Sequence, residues 1–150
     1  MLAWLNFAGD SDFVGVIEMA YGGDDYCFGC GTKNPIGLHL HFEQEGDKFV
    51  AKKTLAREYE GYENVAHGGI VMTLLDEAMG NYVQTVHREM ALTGRIEVRY
   101  RHPTPIEQEL TISAWQEAQR RNIVTMRAAV QTADGVVTAE ATAKFALVAR

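Results

Sequence analysis

The chain has 150 residues, 47% of them hydrophobic and 23% charged, with three prolines and a formal net charge of −6. That length makes one ordinary domain, able to hide roughly two-thirds of its unfolded surface in a single core, and the composition excludes a disordered or fibrous chain. The acidic balance provides no overall basic field for nucleic acid or an anionic membrane, so any anionic ligand needs a local basic patch.

In chain order, residues 1–23 read as an appendage: an apolar start, then "SDFVGVIEMAY", where Ser11 could cap a brief helix before Gly22-Gly23. No stretch reaches the roughly 20 apolar residues needed to cross a bilayer, and the start lacks the basic flank and cleavage pattern of a signal peptide. The expected location is therefore the cytoplasm. The domain is expected over 24–150.

Cys27-Phe28-Gly29-Cys30-Gly31 is too sparse for a secreted disulfide framework. With His39 and His41 it could form a zinc site. A thiol packing a glycine turn is the commoner outcome, so no metal is expected.

From Gly37 the pattern has period two, with Leu38, Leu40 and Phe42 on one face and His39, His41 and Glu43 on the other, which predicts a half-buried strand. "EQEGD" reads as a hairpin turn, Lys48 to Thr54 as the returning strand, and "REYEGYEN" as a loop. Ile70 to about Val86 lacks proline, is rich in helix formers and is far too long for a strand. Its wide apolar arc, including Val71, Leu75, Ala78, Met79 and Val83, predicts a helix enclosed by the rest of the fold. Gly69, Thr73, Asp76, Glu77, Gly80, Asn81 and Gln84 form the narrow polar stripe left over.

Strand signals then run to the C-terminus: "TGRIEVRYRHPTP", Leu110 to Ala118, Ile123 to Thr132, and Val136 to Val148 after an Asp134-Gly135 turn. Short connections favour antiparallel neighbours, and one apolar helix must be buried against them. The expected class is α+β, with a curled antiparallel sheet around one central helix.

Chemistry concentrates where Gly68-Gly69 opens that helix. Unpaired N–H groups and the positive end of the macrodipole suit a carbonyl oxygen gaining negative charge, as in acyl transfer. Asp76, seven residues beyond Gly69 and only about 20° round the axis, is expected to share that pocket. Apolar neighbours there should raise its pKa and make it a base or nucleophile. The plain alternatives are that Asp76 and Glu77 edge a solvated helix face and that His67 merely caps the helix.

"AHGGIVMTLLDEAMG", with "CFGCGTKNPIGLHLHF" before it and "TGRIEVRYRHPTP" after it, resembles the PaaI-like acyl-CoA thioesterase branch of the hotdog-fold superfamily, from about Asp24 to Val148. The resemblance implies acyl-CoA hydrolysis without a cofactor. It assigns the role of base or nucleophile to Asp76, since Glu77 falls one place too late after His67, and the oxyanion donor to Gly68, with Gly69 beside it. The threonine or serine that steadies the acid or its water is Thr93. Many members carry an asparagine where this chain has Gly61, and Asn64 is out of register. The resemblance also implies a homodimer or homotetramer with the site at the subunit boundary, Thr93 facing a neighbour's Asp76.

Arg99 and Arg101, on a strand face with Arg95, are candidates for coenzyme A phosphates, as are Arg120 and Arg121 at the later turn, against the ordinary reading of a solvated sheet face. The rival functions are an acyl-CoA-binding protein without turnover and a hydratase on the same fold. The acyl group is not specified by the sequence, and nucleic acid and membrane are not expected partners.

Overall fold

The computed structural model describes residues 25–148. The appendage over 1–23 lies outside the described residues. Strands β1 (Glu43–Glu45), β2 (Lys48–Thr54), β5 (Met90–Tyr100), β6 (Glu109–Arg120), β7 (Ile123–Thr132) and β8 (Val137–Val148) form a six-stranded sheet in the order β1-β2-β6-β7-β8-β5. Every pairing in it is antiparallel. One helix, α1 (Gly68–His87), packs on one face of this sheet, which is the expected α+β arrangement.

The helix is buried through Val71, Leu74, Leu75, Ala78, Met79 and Val83. Opposite them stand Leu110, Ile112 and Ala114 of β6, Val124, Met126 and Ala128 of β7, and Ala139, Ala141, Ala143 and Phe145 of β8. The alternate alanines of β8 let the helix approach closely. A fully buried leucine or methionine here contributes roughly 1.5–3 kcal/mol over its exposed state. Arg88, in the left-handed conformation at φ 55°, ends the helix.

Most predicted elements hold, with three differences. The strand predicted from Gly37 is displaced: Leu38 and Leu40 are buried as its alternation requires, but the regular strand is only Glu43–Glu45. Leu38 and Leu40 N–H donate instead to Phe28 O and Gly29 O, at 2.7 and 2.8 Å, and His39 adopts a φ of 51°. Second, the "REYEGYEN" loop holds a 3-10 turn (Arg57–Tyr59) and, with the next residues, a small hairpin of β3 (Glu60–Tyr62) and β4 (Val65–Ala66). His67 N–H on Tyr59 O extends the hairpin and Ala66 N–H on Thr104 O ties it to a distant segment, both at 2.8 Å.

The third difference is a bulge in β5. Thr93 pairs with Phe145 and Arg95 with Lys144, so Gly94 is an extra residue. Side chains alternate across a regular strand, and Thr93 and Ile96 would face opposite ways; the extra residue resets the phase. Thr93, Ile96, Val98 and Tyr100 consequently all face the helix, leaving Arg95, Glu97 and Arg99 on the outer face.

Candidate active site

The helix start is built by His67. Its Nδ1 accepts from Gly69 N–H at 3.0 Å, and its carbonyl accepts from Ile70 and Val71 N–H at 3.0 and 3.1 Å. His67 is thus the N-cap, and the Gly69 amide is already satisfied. Gly68 N–H finds no acceptor among the described residues, leaving it the available donor. Tyr100, whose place here the sequence reading missed, donates its hydroxyl to Gly68 O at 2.7 Å and fixes that peptide group. Burial raises the Tyr100 pKa, so the hydroxyl keeps its proton. Gly68 and Tyr100 line a cleft of about 350 Å³ with Val65, Ala66, Val71 and Arg101. Gly61 packs under His67, where an added Cβ would sit 3.0 Å from His67 Cα. The asparagine of the resembling family would therefore crowd the capping residue.

Asp76 is half-buried midway along α1. Thr93 Oγ1 donates to Asp76 Oδ1 at 2.8 Å. Burial raises the Asp76 pKa, and the Thr93 hydrogen bond opposes this in part by favouring the carboxylate. The expectation of a desolvated acid is met. The expectation that Thr93 faces a neighbour's Asp76 is not, because both belong to one chain, brought together by the antiparallel run of α1 and β5 and by the Gly94 bulge.

The shared pocket also needs correction. Gly69 lies about 20° from Asp76 round the axis, but Gly68, the free donor, lies about 80° from it, and eight residues at 1.5 Å each put about 12 Å between them along the axis. Helical N–H groups at this end point away from Asp76. One carbonyl in hydrogen-bond reach of Gly68 N–H cannot also be in reach of the Asp76 carboxylate of the same chain. The cleft beside Gly68 does not include Asp76. A chain thus presents two separate features on one helix: a free amide beside a cleft, and a held carboxylate two turns further on.

Of the candidate phosphate ligands, Arg101 is paired with Glu140 at 2.5 Å and holds that carboxyl below its usual range. Arg99 is exposed on the outer sheet face, away from Asp76. Glu77, one residue past Asp76 and 100° further round, points to a different neighbourhood. Its carboxylate meets Cys27 at 3.6 and 3.7 Å. Neither histidine of the zinc alternative weighed above joins them: His39 Nε2 contacts Asn34 O at 2.6 Å, and His41 is exposed. Burial, then the Glu77 carboxylate, push the Cys30 thiol well up. Among the described residues, no helix is long and apolar enough to cross a membrane.

No curated protein matches the chain. Among solved structures it is similar to the thioesterase superfamily protein RHA08564, with 26% identity over 77% of this chain and a TM-score of 0.72. It spans 60% of that longer protein. A hypothetical thioesterase from Streptococcus pneumoniae TIGR4, solved with coenzyme A, is 20% identical, with 74% of this chain and 90% of that one covered and a TM-score of 0.68. Zebrafish thioesterase superfamily member 2 is 15% identical, with 79% and 89% covered and a TM-score of 0.70. These two low-identity likenesses bear on the fold, a hotdog-type helix and open curled sheet. The sequence profile named Thioesterase superfamily matches residues 63–139, just over half of the chain, running from the helix cap through α1 and β5 to β8. The chain therefore belongs to the thioesterase superfamily.

Proposed function

We propose that the protein is a cytoplasmic acyl-CoA thioesterase of the PaaI-like kind, working as a homodimer or a pair of homodimers whose sites each combine two chains. The observation that carries this reading is the pair of half-sites about 12 Å apart on one helix, each suited to half of the reaction. Gly68 N–H of one chain receives the thioester oxygen as it gains charge. Asp76 of the other chain, held by its own Thr93, takes a proton from water as the water attacks, or attacks the carbonyl itself. In the water route the tetrahedral intermediate expels coenzyme A thiolate, and Asp76 returns the proton. His67 supports the oxyanion side by capping the helix, which leaves Gly69 a structural rather than a donor glycine. Arg99 is the freer candidate for a coenzyme A phosphate, since Glu140 already neutralises Arg101. The coenzyme A in the pneumococcal structure supports this ligand class.

A mixed assembly tests the two-chain site. Asp76→Asn and Gly68→Pro chains carrying different tags are co-expressed, and assemblies containing both are purified and assayed on a panel of acyl-CoA substrates. Each homomeric variant is expected to be nearly inactive, and a mixed pair to regain about half of wild-type turnover, because one of its two sites is intact. A mixed pair as inactive as its parents would refute the arrangement.

Thr93 gives an independent check. Thr93→Val removes the hydrogen bond that favours the carboxylate, so Asp76 should hold its proton to higher pH. The acid limb of the kcat/KM profile is expected to move upward in pH. An unmoved limb would show that the hydroxyl does not govern this proton.

A further inference from the structure

Three ligand-bearing side chains converge on the helix face away from Thr93. Cys27 and Cys30 flank Phe28-Gly29 in a turn closed by Gly31 N–H on Cys27 O at 2.9 Å. Glu77 reaches the turn from α1, fifty residues along the chain. One ligand atom from each of Cys27, Cys30 and Glu77 falls within 4.8 Å of the others.

The spacing fits a particular coordination. A tetrahedral zinc ion with sulfur at about 2.3 Å and oxygen at about 2.0–2.2 Å sets S···O edges of about 3.5–3.7 Å. Cys27 Sγ lies 3.6 and 3.7 Å from the Glu77 oxygens. Gly29, one of the two residues between the cysteines, also fits: a Cβ there would fall 2.4 Å from Glu77 Cδ and displace the carboxylate from the thiols.

We propose that Cys27, Cys30 and Glu77 form a zinc site, with water at the fourth position, that fastens the turn at residues 27–31 to α1. Binding releases the two thiol protons to solvent, and the two thiolates and one carboxylate then face a dication. The site has a structural role, because Glu77 points away from the Asp76–Thr93 pair. It stands whether or not the protein hydrolyses thioesters.

The test uses the full chain purified under reducing conditions with a cleavable tag free of histidine, incubated with zinc, passed through a desalting column and analysed for metal. Wild type is expected to retain about one zinc per chain, to show thiolate-to-metal charge-transfer absorption on replacement by cobalt, and to have both thiols shielded from alkylation by zinc. Glu77→Gln, Gly29→Ala and the Cys27→Ser/Cys30→Ser double variant should each bind zinc at least about tenfold more weakly, the loss typical of disturbing even a partner outside the ligand set. A wild-type chain that retains no zinc, thiols that zinc leaves fully reactive, or a Glu77→Gln chain that binds as tightly as wild type would overturn the proposal. The first two readouts need no variant and so do not depend on one folding.

Discussion

Replacing Asp76 with asparagine is expected to lower kcat for thioester hydrolysis by roughly 10²–10⁴-fold, the usual worth of a positioned base, with the fold intact. Asparagine has nearly the same shape and its carbonyl can still accept from Thr93, so packing between α1 and β5 survives. It cannot take a proton from water. Circular dichroism and a stopped acyl-CoA assay on the same preparation separate the two effects, and full turnover in a folded variant would remove Asp76 from the mechanism. Stability carries a second signature. Folded Asp76 has a pKa raised above its ordinary 3.8, chiefly by burial. The folded state therefore binds this proton more tightly than the unfolded state. Wild type loses the corresponding stability as pH climbs from about the ordinary value through the raised one. The substituted amide titrates nowhere in that range. The variant should gain on wild type across the window, keep the gain at neutral pH, and lose the advantage in more acid solution. Urea melts at acid and neutral pH measure it.

Gly68→Pro is expected to cost roughly 10²–10³-fold in kcat, the usual effect of removing one oxyanion donor. Gly68 is the first residue of α1, the position where proline's missing N–H breaks no helical bond. The preceding His67 has φ −58° and ψ 134°, the extended geometry that a following proline favours. A Cβ at Gly68 meets Tyr100 at 3.6 Å, ordinary contact. Thermal stability should be kept or rise slightly, because proline also restricts the unfolded chain. Wild-type turnover in this variant would show that the oxyanion lies elsewhere. Gly68→Ala, which keeps the N–H, is the matching control for the added bulk.

Much of the fold was legible because it rests on local periodicity. The apolar arc from Val71 to Val83 announces a buried helix, and the period-two runs after it announce the meander, with Ile123–Thr132 matching β7 residue for residue. What was not legible depends on contacts between distant residues. The alternation at Leu38 and Leu40 predicts burial correctly, but their N–H groups are taken by the cysteine turn, which no local pattern announces. The small hairpin before α1 pairs Glu60 with Ala66 and Tyr62 with Val65, and only Ala66 N–H on Thr104 O ties it to a distant part of the chain.

The site divides in the same way. The residues themselves single out Asp76 and the Gly68-Gly69 pair, the family resemblance adds Thr93, and the Asp76–Thr93 hydrogen bond is present. A helical wheel brings Gly69 and Asp76 together by angle but discards the rise along the axis, which keeps Asp76 about 12 Å from the free amide of Gly68. The same wheel separates Glu77 from Asp76 by 100° without saying what it meets there. Its meeting with Cys27 spans fifty residues and is visible only once the chain is folded.

The bulge at Gly94 has a consequence for how this chain can vary. Ahead of it the strand must turn a hydroxyl toward the carboxylate, and after it Ile96, Val98 and Tyr100 inward. A strand one residue shorter could keep only one of those sets in frame, and one residue longer would invert whichever lay downstream. Substitution remains open to β5, while drift in length is closed to it.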